Sequence, residues 1–290
     1  MTTHGQVSTA MLVAAAEVMD GRGARRDELR TRLARACLQG SGPPGKRLLR
    51  MVDSGPGRTL LRALEAATLP GIAAHYAWRK RRIHAWVEQA VAAGVQQLLV
   101  LGAGFDALGP LMANAHPTLR VFEVDRPAAI AVRRQALQRC GVAEDTARQQ
   151  AADLGCDGLV KVLRDFERTG LERDATTMVV AEGLLMYLRP TAVATLFRDL
   201  RAGLGGRVHV IGSAMDRDER GIPRFQRQRP WLRHWLARRG EPFAWGATRG
   251  ELPARLAAWG IDTPGIAAVD DPRDPDPCPG EWLFRGGMRR

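Results

Sequence analysis

The sequence has little cysteine, almost no lysine and no long hydrophobic run. Its four cysteines, Cys37, Cys140, Cys156 and Cys278, are scattered, with no close pair. This spacing argues against a disulfide framework and against a zinc site, and it favours a reducing, cytoplasmic setting. No stretch reaches about 18 uninterrupted apolar residues, so no membrane span is predicted. The apolar segment Met11–Ala16 has no basic flank before it, so no secretory signal is expected.

What the chain does contain is arginine. Lys+Arg number 43 against 31 Asp+Glu, a net charge of +12, and only Lys46, Lys80 and Lys161 are lysines. Because the arginines are spread along the whole chain, we interpret the excess as a coding bias rather than a phosphate-binding surface. A nucleic-acid-binding module stays open as an alternative that rests on charge alone. With 45% hydrophobic and 26% charged residues, the 290-residue chain suits one large globular domain.

The spacing of apolar residues changes near residue 95. Before it, recurrences such as Leu29, Leu33 and Cys37 predict helices. After it, short apolar runs alternate with helical stretches, which predicts an α/β fold with a mostly parallel, doubly wound sheet. We therefore predict a helical N-terminal region (1–95) that contributes to the site, a core (96–290) and a helical lid insertion (about 214–247). The predicted strands are Gln97–Leu101, Arg120–Asp125, Ala147–Ala152, Thr177–Ala181, Arg207–Ile211 and Trp282–Arg285.

A glycine loop follows the first predicted strand. Gly102 and Gly104 in LGAGFD allow a tight turn and bring bare backbone amides to a ligand. Asp125 lies at the carboxyl end of the next strand, where a carboxylate can accept hydrogen bonds from ribose hydroxyls. Asp125 also precedes Pro127 and suits the start of a helix. Together the two features indicate a cofactor that contains adenosine.

Two further carboxylates favour S-adenosylmethionine over NAD. Asp153 follows the third strand and suits an exocyclic amine such as that of adenine, and Glu182 follows the fourth strand and suits a cationic amino group. A pyrophosphate cofactor would instead need positive charge beside the glycines. Arg79 shares the apolar stripe of its helix with Ile83 and is available for a cofactor carboxylate or for a protein acid. Its basic neighbours Lys80, Arg81 and Arg82 are expected on a solvated face.

Several of these motifs resemble the leucine carboxyl methyltransferase family, which includes protein phosphatase methyltransferases and bacterial O-methyltransferases of polyketide and other secondary metabolism. They are GAGFD at Gly102–Asp106, FEVD at Phe122–Asp125 and EGLLMYL at Glu182–Leu188. The resemblance implies a class I methyltransferase fold, Rossmann-like, with seven strands of which one is antiparallel. It also implies S-adenosylmethionine as the methyl donor and S-adenosylhomocysteine as the product.

The same resemblance implies roles for individual residues. Arg79 would bind the donor carboxylate, Gly102 and Gly104 the methionine portion, Asp125 the ribose, Asp153 and Leu154 the adenine, and Glu182 the amino end, while Tyr187 would lie near the methyl group. Two departures concern the substrate more than the cofactor. Ala107-Leu108-Gly109 stands where many relatives have an arginine, and Glu17 stands where an arginine is often found.

The predicted lid mixes aromatic residues with arginines. Phe225, Trp231, Trp235, Phe243 and Trp245 would enclose an aromatic acceptor, whereas Arg224, Arg227, Arg229 and Arg233 would hold an acidic one; packing of the helix explains the tryptophans equally well. We assign Tyr187, Arg224, Trp231 and Trp245 to the substrate. No general base is assigned, because His75, His84 and His209 are expected to be structural, and no metal is predicted.

The sequence thus predicts a cytoplasmic O-methyltransferase that acts on a carboxylate or hydroxyl of a small molecule, most plausibly in secondary metabolism. Methylation of a protein or peptide carboxyl terminus is the alternative within this class. An NAD-dependent oxidoreductase is the alternative from another class. Neither a nucleic-acid partner nor a membrane is expected.

Overall fold

The computed structural model describes residues 7–21, 28–262 and 275–289, and in this part of the chain it contains one seven-stranded sheet. The strand order is β3-β2-β1-β4-β5-β7-β6, with β7 antiparallel to both of its neighbours and the other pairs parallel. The strands are β1 (Gln97–Leu101), β2 (Arg120–Asp125), β3 (Arg148–Ala151), β4 (Thr177–Ala181), β5 (Val208–Met215), β6 (Ile261–Asp262) and β7 (Glu281–Met288). The prediction of a mostly parallel sheet with one antiparallel strand is confirmed.

The central strands are buried on both faces because helices cover both sides of the sheet. Every residue of β1 and β4 is buried, as expected for continuous apolar runs in a parallel sheet. β3 is polar and partly exposed, since it lies at the edge of the sheet. β5 is longer than predicted and ends at Met215, because it pairs with β7 over seven residues. Gly212 faces Phe284 in this pairing, and a Cβ at Gly212 would lie 2.4 Å from the Phe284 ring.

Helices precede the sheet, as the periodicity predicts for this region, and the described residues before β1 form five of them. The helices are α1 (Thr9–Asp20), α2 (Glu28–Gly40), α3 (Gly42–Asp53), α4 (Gly55–Thr68), α5 (Ile72–Ala92), α6 (Leu108–Ala115), α7 (Pro127–Arg139), α8 (Val160–Glu167), α9 (Pro190–Gly203), α10 (Pro230–Arg238) and α11 (Leu252–Ala258), with a 3₁₀ turn at Leu185–Tyr187. α7, α9 and α10 each begin at a proline, whose fixed φ and missing N–H suit a first helical turn. The Ser54 side chain caps α4 by accepting a hydrogen bond from the Gly57 amide.

The segment between β5 and α11 lies over the end of the sheet and contains α10. Its chain is tied to the 3₁₀ turn, because the amides of Ala244 and Trp245 both donate to the carbonyl of Met186, at 2.7 and 3.2 Å. The Arg229 amide, just before α10, donates to the carbonyl of Thr68 at the end of α4. α10 is therefore held between the sheet core and the N-terminal helices, above the carboxyl ends of β1, β2 and β4.

Candidate active site

The glycine loop and Asp125 meet at the carboxyl ends of β1 and β2, as predicted. Gly102 and Gly104 have φ angles of +71° and +53°, a region that glycine reaches without steric cost. The Gly104 amide donates to Oδ2 of Asp125 at 2.6 Å, and the Arg126 amide donates to Oδ1 at 2.6 Å. Burial raises the pKa of Asp125 above its usual range, although these two amide hydrogen bonds oppose the shift. The carboxylate is therefore fixed against the loop with its remaining lone pairs toward the cavity.

Arg79 and Glu182 lie next to this loop and are paired with each other. Arg79 Nε donates to Glu182 Oε1 at 2.9 Å, and its Nη1 donates to both carboxylate oxygens of Glu281, at 3.0 and 2.8 Å. Glu281 begins β7 and is fully buried. Burial alone would raise the pKa of Glu281, but the Arg79 charge and the His75 hydrogen bond lower it to about 2. The sequence analysis missed Glu281; its only signal is an acidic residue directly before a predicted apolar strand.

His75 contacts Glu281 on the side of this ion pair that is away from the cavity. Its Nδ1 lies 2.6 Å from Oδ1 of Asp276, and its Nε2 lies 2.7 Å from Oε2 of Glu281. Burial disfavours the charged ring, but the hydrogen bonds with Asp276 and Glu281 raise the pKa of His75 above its usual range. Because both ring nitrogens face carboxylates, the imidazolium form satisfies the contacts best. His75 lies behind Arg79 and does not line the cavity.

Lys80 corrects one prediction, because it is buried rather than solvated. Its Nζ lies 2.7 Å from Oδ2 of Asp106 and 3.8 Å from Oε1 of Glu182. α5 packs between the sheet and the N-terminal helices, so more than one of its faces is covered; Arg81 is exposed, as predicted, and Arg82 is half-buried. Burial would raise the pKa of Asp106, but the charges of Lys80 and then Arg30 lower it well below its usual range.

A second buried pair supports the glycine loop from the opposite side. Arg133 Nε donates to Oε2 of Glu123 at 2.7 Å, and its Nη1 donates to the carbonyl oxygens of Asp106 and Gly104, at 2.5 and 3.3 Å. A Cβ at Gly109 would lie 2.2 Å from Glu123 Oε1. The glycine at this position, one of the departures in the sequence, therefore makes room for the Glu123 carboxylate.

Asp153 and Leu154 follow β3 and also line the cavity. Asp153 Oδ1 accepts a hydrogen bond from the Gly155 amide at 2.9 Å, which shapes the turn, and Leu154 is buried. The structure thus brings Arg79, Gly102, Gly104, Asp125, Asp153, Leu154 and Glu182 to the wall of one cavity. Their cofactor roles remain predictions.

The cavity has a volume of about 620 Å³, within the range of small-molecule sites. We call its lining residues 17, 30, 79–80, 102–106, 125–126, 153–154, 182 and 241 the charged half. The apolar half consists of those residues that line the cavity and fall within 10–16, 61–76, 186–187, 225–236 or at 243. The two halves meet where Glu241 accepts hydrogen bonds from the amide and hydroxyl of Thr9 and lies 3.6 Å from Arg126 Nη2.

The four predicted substrate residues divide into two pairs. Tyr187 and Trp231 line the apolar half, whereas Arg224 and Trp245 do not line the cavity. Trp245 is 2% exposed and packs against Trp259 with a ring-centroid distance of 5.5 Å, so it belongs to the core. Arg224 Nη2 donates to the carbonyl of Gln228 at 2.8 Å and braces its own loop. Neither residue of this pair reaches the cavity, because Arg224 is bonded within its own loop and the Trp245 ring packs in the core.

Within residues 7–21, 28–262 and 275–289, no group of three or more His, Cys, Asp or Glu side chains is arranged to hold a metal ion. In the same residues, no helix is both long and apolar enough to cross a membrane.

Known proteins and one family model are similar to this chain. The family model described as leucine carboxyl methyltransferase matches residues 7–201. A Mycobacterium bovis (strain BCG / Pasteur 1173P2) protein named as an S-adenosyl-L-methionine-dependent methyltransferase is 33% identical over 144 residues, 49% of this chain and 46% of that protein. The chain thus spans about half the length of this relative. A Mycobacterium ulcerans (strain Agy99) protein of the same name is 27% identical over 295 residues, 96% of this chain and 92% of the relative.

Solved structures share the fold at low sequence identity. A Thermobifida fusca YX protein described as a methyltransferase has a TM-score of 0.62 at 19% identity, covering 95% of this chain and 94% of its own. At that identity the likeness shows the fold alone. Together with the strand order and the single antiparallel strand, it confirms the class I methyltransferase fold.

Proposed function

The chain belongs to the leucine carboxyl methyltransferase family, and from this we propose that it transfers a methyl group from S-adenosylmethionine to an oxygen atom of a small molecule. The observation that carries the proposal is the set of charges around the glycine loop, where the Arg79–Glu182 pair and Asp125 line one wall. An amino-acid cofactor needs a cation and an anion close together, with an acid for its ribose. This wall offers all three.

The residues present fit that cofactor. Among the described residues, none donates to Oε2 of Glu182 and none accepts from Nη2 of Arg79, so both atoms remain available beside the loop. Glu182 would take the amino group, Arg79 the carboxylate and Asp125 the ribose hydroxyls. Gly102 and Gly104 would let the methionine portion approach the backbone. A pyrophosphate would meet Glu182 and Asp106 instead, which disfavours NAD.

When bound, S-adenosylmethionine supplies a methyl group that leaves its sulfonium sulfur as the acceptor oxygen bonds to the methyl carbon, so that S-adenosylhomocysteine is the product. The task of this chain is to align the two partners and to exclude water. The charged half would fix the donor through ion pairs held by buried carboxylates. The apolar half would enclose the acceptor beneath α10, with Tyr187 at the junction of the two.

Methylation of a protein or peptide carboxyl terminus is the alternative within the family. We also propose a role in secondary metabolism and a cytoplasmic location, the latter supported by four free cysteines that form no disulfide. The class of acceptor and the metabolic role can be tested by experiments that measure which acceptor binds.

Calorimetry with S-adenosylhomocysteine and with NAD tests the proposed cofactor. We expect S-adenosylhomocysteine, and not NAD, to bind and to raise the melting temperature. Asp125→Ala should weaken binding by about 1.5–3 kcal/mol, because hydrogen bonds to a charged group are lost. Asp145→Ala is the matched control, since Asp145 is exposed in the turn before β3, and it should bind like the wild type. Binding of NAD alone, or equal affinities in the two variants, would contradict the proposal.

A further inference from the structure

The apolar half of the cavity contains almost no charge. Its walls are formed mainly by leucines, alanines and aromatic residues, including Leu61, Leu64, Trp231, Trp235 and Phe243. Of the side chains that line this half, as defined above, Glu65 is the one acidic or basic group. A molecule bound here would therefore meet apolar surface on most sides.

Within residues 7–21, 28–262 and 275–289, each cation that lines the cavity already has an acidic partner. Arg79 is bonded to Glu182 and Glu281, and Lys80 Nζ lies 2.7 Å from Asp106 Oδ2. Arg30 lies 3.9 Å from both Glu17 and Asp106, and Arg126 lies 3.6 Å from Glu241. Among the residues that the structure describes, seven acidic and four basic side chains line the cavity. With Arg79 taken by the donor carboxylate, an anionic acceptor would meet more acids than bases among the described lining residues, and each remaining cation of that set already has an acidic partner.

The arginines of the lid do not change this balance. Arg224, Arg227, Arg229 and Arg233 all lie outside the cavity lining. Arg227, Arg229 and Arg233 are exposed, and Arg224 is bonded to its own loop. The side of α10 that faces the cavity presents Trp231, Leu232, Trp235 and Leu236 instead.

Glu65 supplies a carboxylate in the apolar half. It lies on α4, and its Oε1 accepts a hydrogen bond from the Ala73 amide at 3.2 Å. Among the described residues, no cation lies within 4.0 Å of its carboxylate. An ionised carboxylate can only accept hydrogen bonds, so it favours a ligand that donates one and repels a ligand that carries a second carboxylate.

The mouth of this half is apolar as well. Leu64 on α4 is 48% exposed and Trp231 on α10 is 52% exposed, and both also line the cavity. Large apolar side chains held in solvent at a cavity mouth are typical of a binding site for apolar molecules. Glu65, the next residue of α4, also lines the cavity.

We propose, on the premise of the proposed function, that the methyl acceptor is an uncharged, largely apolar hydroxyl compound rather than a carboxylate, and that Glu65 accepts a hydrogen bond from it. The hydroxyl proton is released when the oxygen bonds to the methyl carbon, and the carboxylates that line the cavity can accept it. Glu65 is thereby a residue that determines specificity for the acceptor.

Binding of a matched pair of probes tests this inference. The probes are 2-naphthol, which is un-ionised at pH 7 as phenols are, and 2-naphthoate, which has the same rings but a negative charge. Calorimetry is performed on the full chain saturated with S-adenosylhomocysteine. We expect 2-naphthol to bind at least about tenfold more tightly than 2-naphthoate, because burial of an unpaired carboxylate is costly.

Variants at residue 65 sharpen the test. Glu65→Gln should reduce the discrimination, and Glu65→Lys should reverse it in favour of 2-naphthoate. Ala66→Lys is the matched control, because residue 66 is exposed on the same helix and does not line the cavity; it should keep the wild-type preference. Melting temperatures of all three variants show whether each is folded.

Three outcomes would overturn the inference: equal or tighter binding of 2-naphthoate by the wild type, an unchanged preference in Glu65→Lys, or no binding of either probe at millimolar concentration. The proposed function has a separate readout, which is the binding of S-adenosylhomocysteine itself. An enzyme that binds S-adenosylhomocysteine but prefers 2-naphthoate would disprove only the inference about the acceptor.

Discussion

Different interactions stabilise the charged half and the apolar half of the cavity. In the charged half, side chains from α5 and from the ends of β1, β2 and β4 form ion pairs and amide hydrogen bonds, as Arg79, Asp106 and Asp125 do. In the apolar half, helices α1, α4 and α10 line the cavity mainly with apolar side chains. The charged half is therefore tied to the sheet, whereas the apolar half depends on how helices pack around it.

This difference predicts how each half responds to change. Arg79, Lys80 and Glu182 in the charged half are largely buried and bonded to one another or to Asp106, so the removal of one partner leaves an unpaired charge. Groups in the apolar half are partly exposed at the mouth, and their replacement changes the shape of the site more than the stability of the fold. Substitutions in the apolar half are therefore expected to cost less stability than substitutions in the charged half.

The largest contrast is expected between Glu281→Ala and Leu64→Ala. Loss of the Glu281 carboxylate leaves Arg79 and His75 buried without their shared partner, which should lower the free energy of unfolding by about 3–5 kcal/mol. Leu64→Ala removes a half-exposed side chain and should cost less than about 1 kcal/mol. Urea denaturation measures both. Similar losses in the two variants would show that the halves do not differ in this way.

A smaller effect is expected for His75 as pH changes. Its folded-state pKa is raised by Asp276 and Glu281 against the effect of burial, with Arg79 opposing. The stabilisation is therefore complete below the unfolded pKa of about 6.5 and is lost as pH rises through the folded value. The difference in unfolding free energy between the wild type and His75→Gln should shrink from pH 6 to pH 9. A difference that is constant or grows over this range would contradict a charged His75.

The smallest effect on stability is expected for Trp231→Ala. Because Trp231 is half-exposed, the free energy of unfolding should change by less than about 0.5 kcal/mol, and S-adenosylhomocysteine affinity should not change. Binding of 2-naphthol should weaken by about 0.5–1.5 kcal/mol, since an aromatic contact is lost. Trp231→Phe keeps a ring and should retain most of the affinity. Weakened S-adenosylhomocysteine binding in Trp231→Ala would mean that the two halves are coupled.

The sequence predicts the charged half better than the apolar half. β1, β2 and β4 begin and end where the apolar runs do, and α7 begins at Pro127, as the Asp125–Pro127 segment predicts. Gly104 and Asp125 meet because parallel strands end at one edge of the sheet, which is a consequence of topology alone. Lys80 was misplaced because its burial depends on how the N-terminal helices pack over α5. Arg224 and Trp245 were misplaced because the sequence does not specify the orientation of the lid.

The sequence by itself determined the alternation of strands and helices, the glycine loop and the acids that follow each strand, since local periodicity and turn chemistry encode these features. Only the tertiary structure decided which acids pair with which cations. It brings Glu281 and Asp276 to His75 and Arg79, some two hundred residues away. The partner of a buried charge is set by the antiparallel strand β7, whose position no local pattern specifies. The pairing of Arg30, Lys80 and Arg126 with acids at the cavity is likewise a property of the folded chain, because each partner comes from a distant part of the sequence.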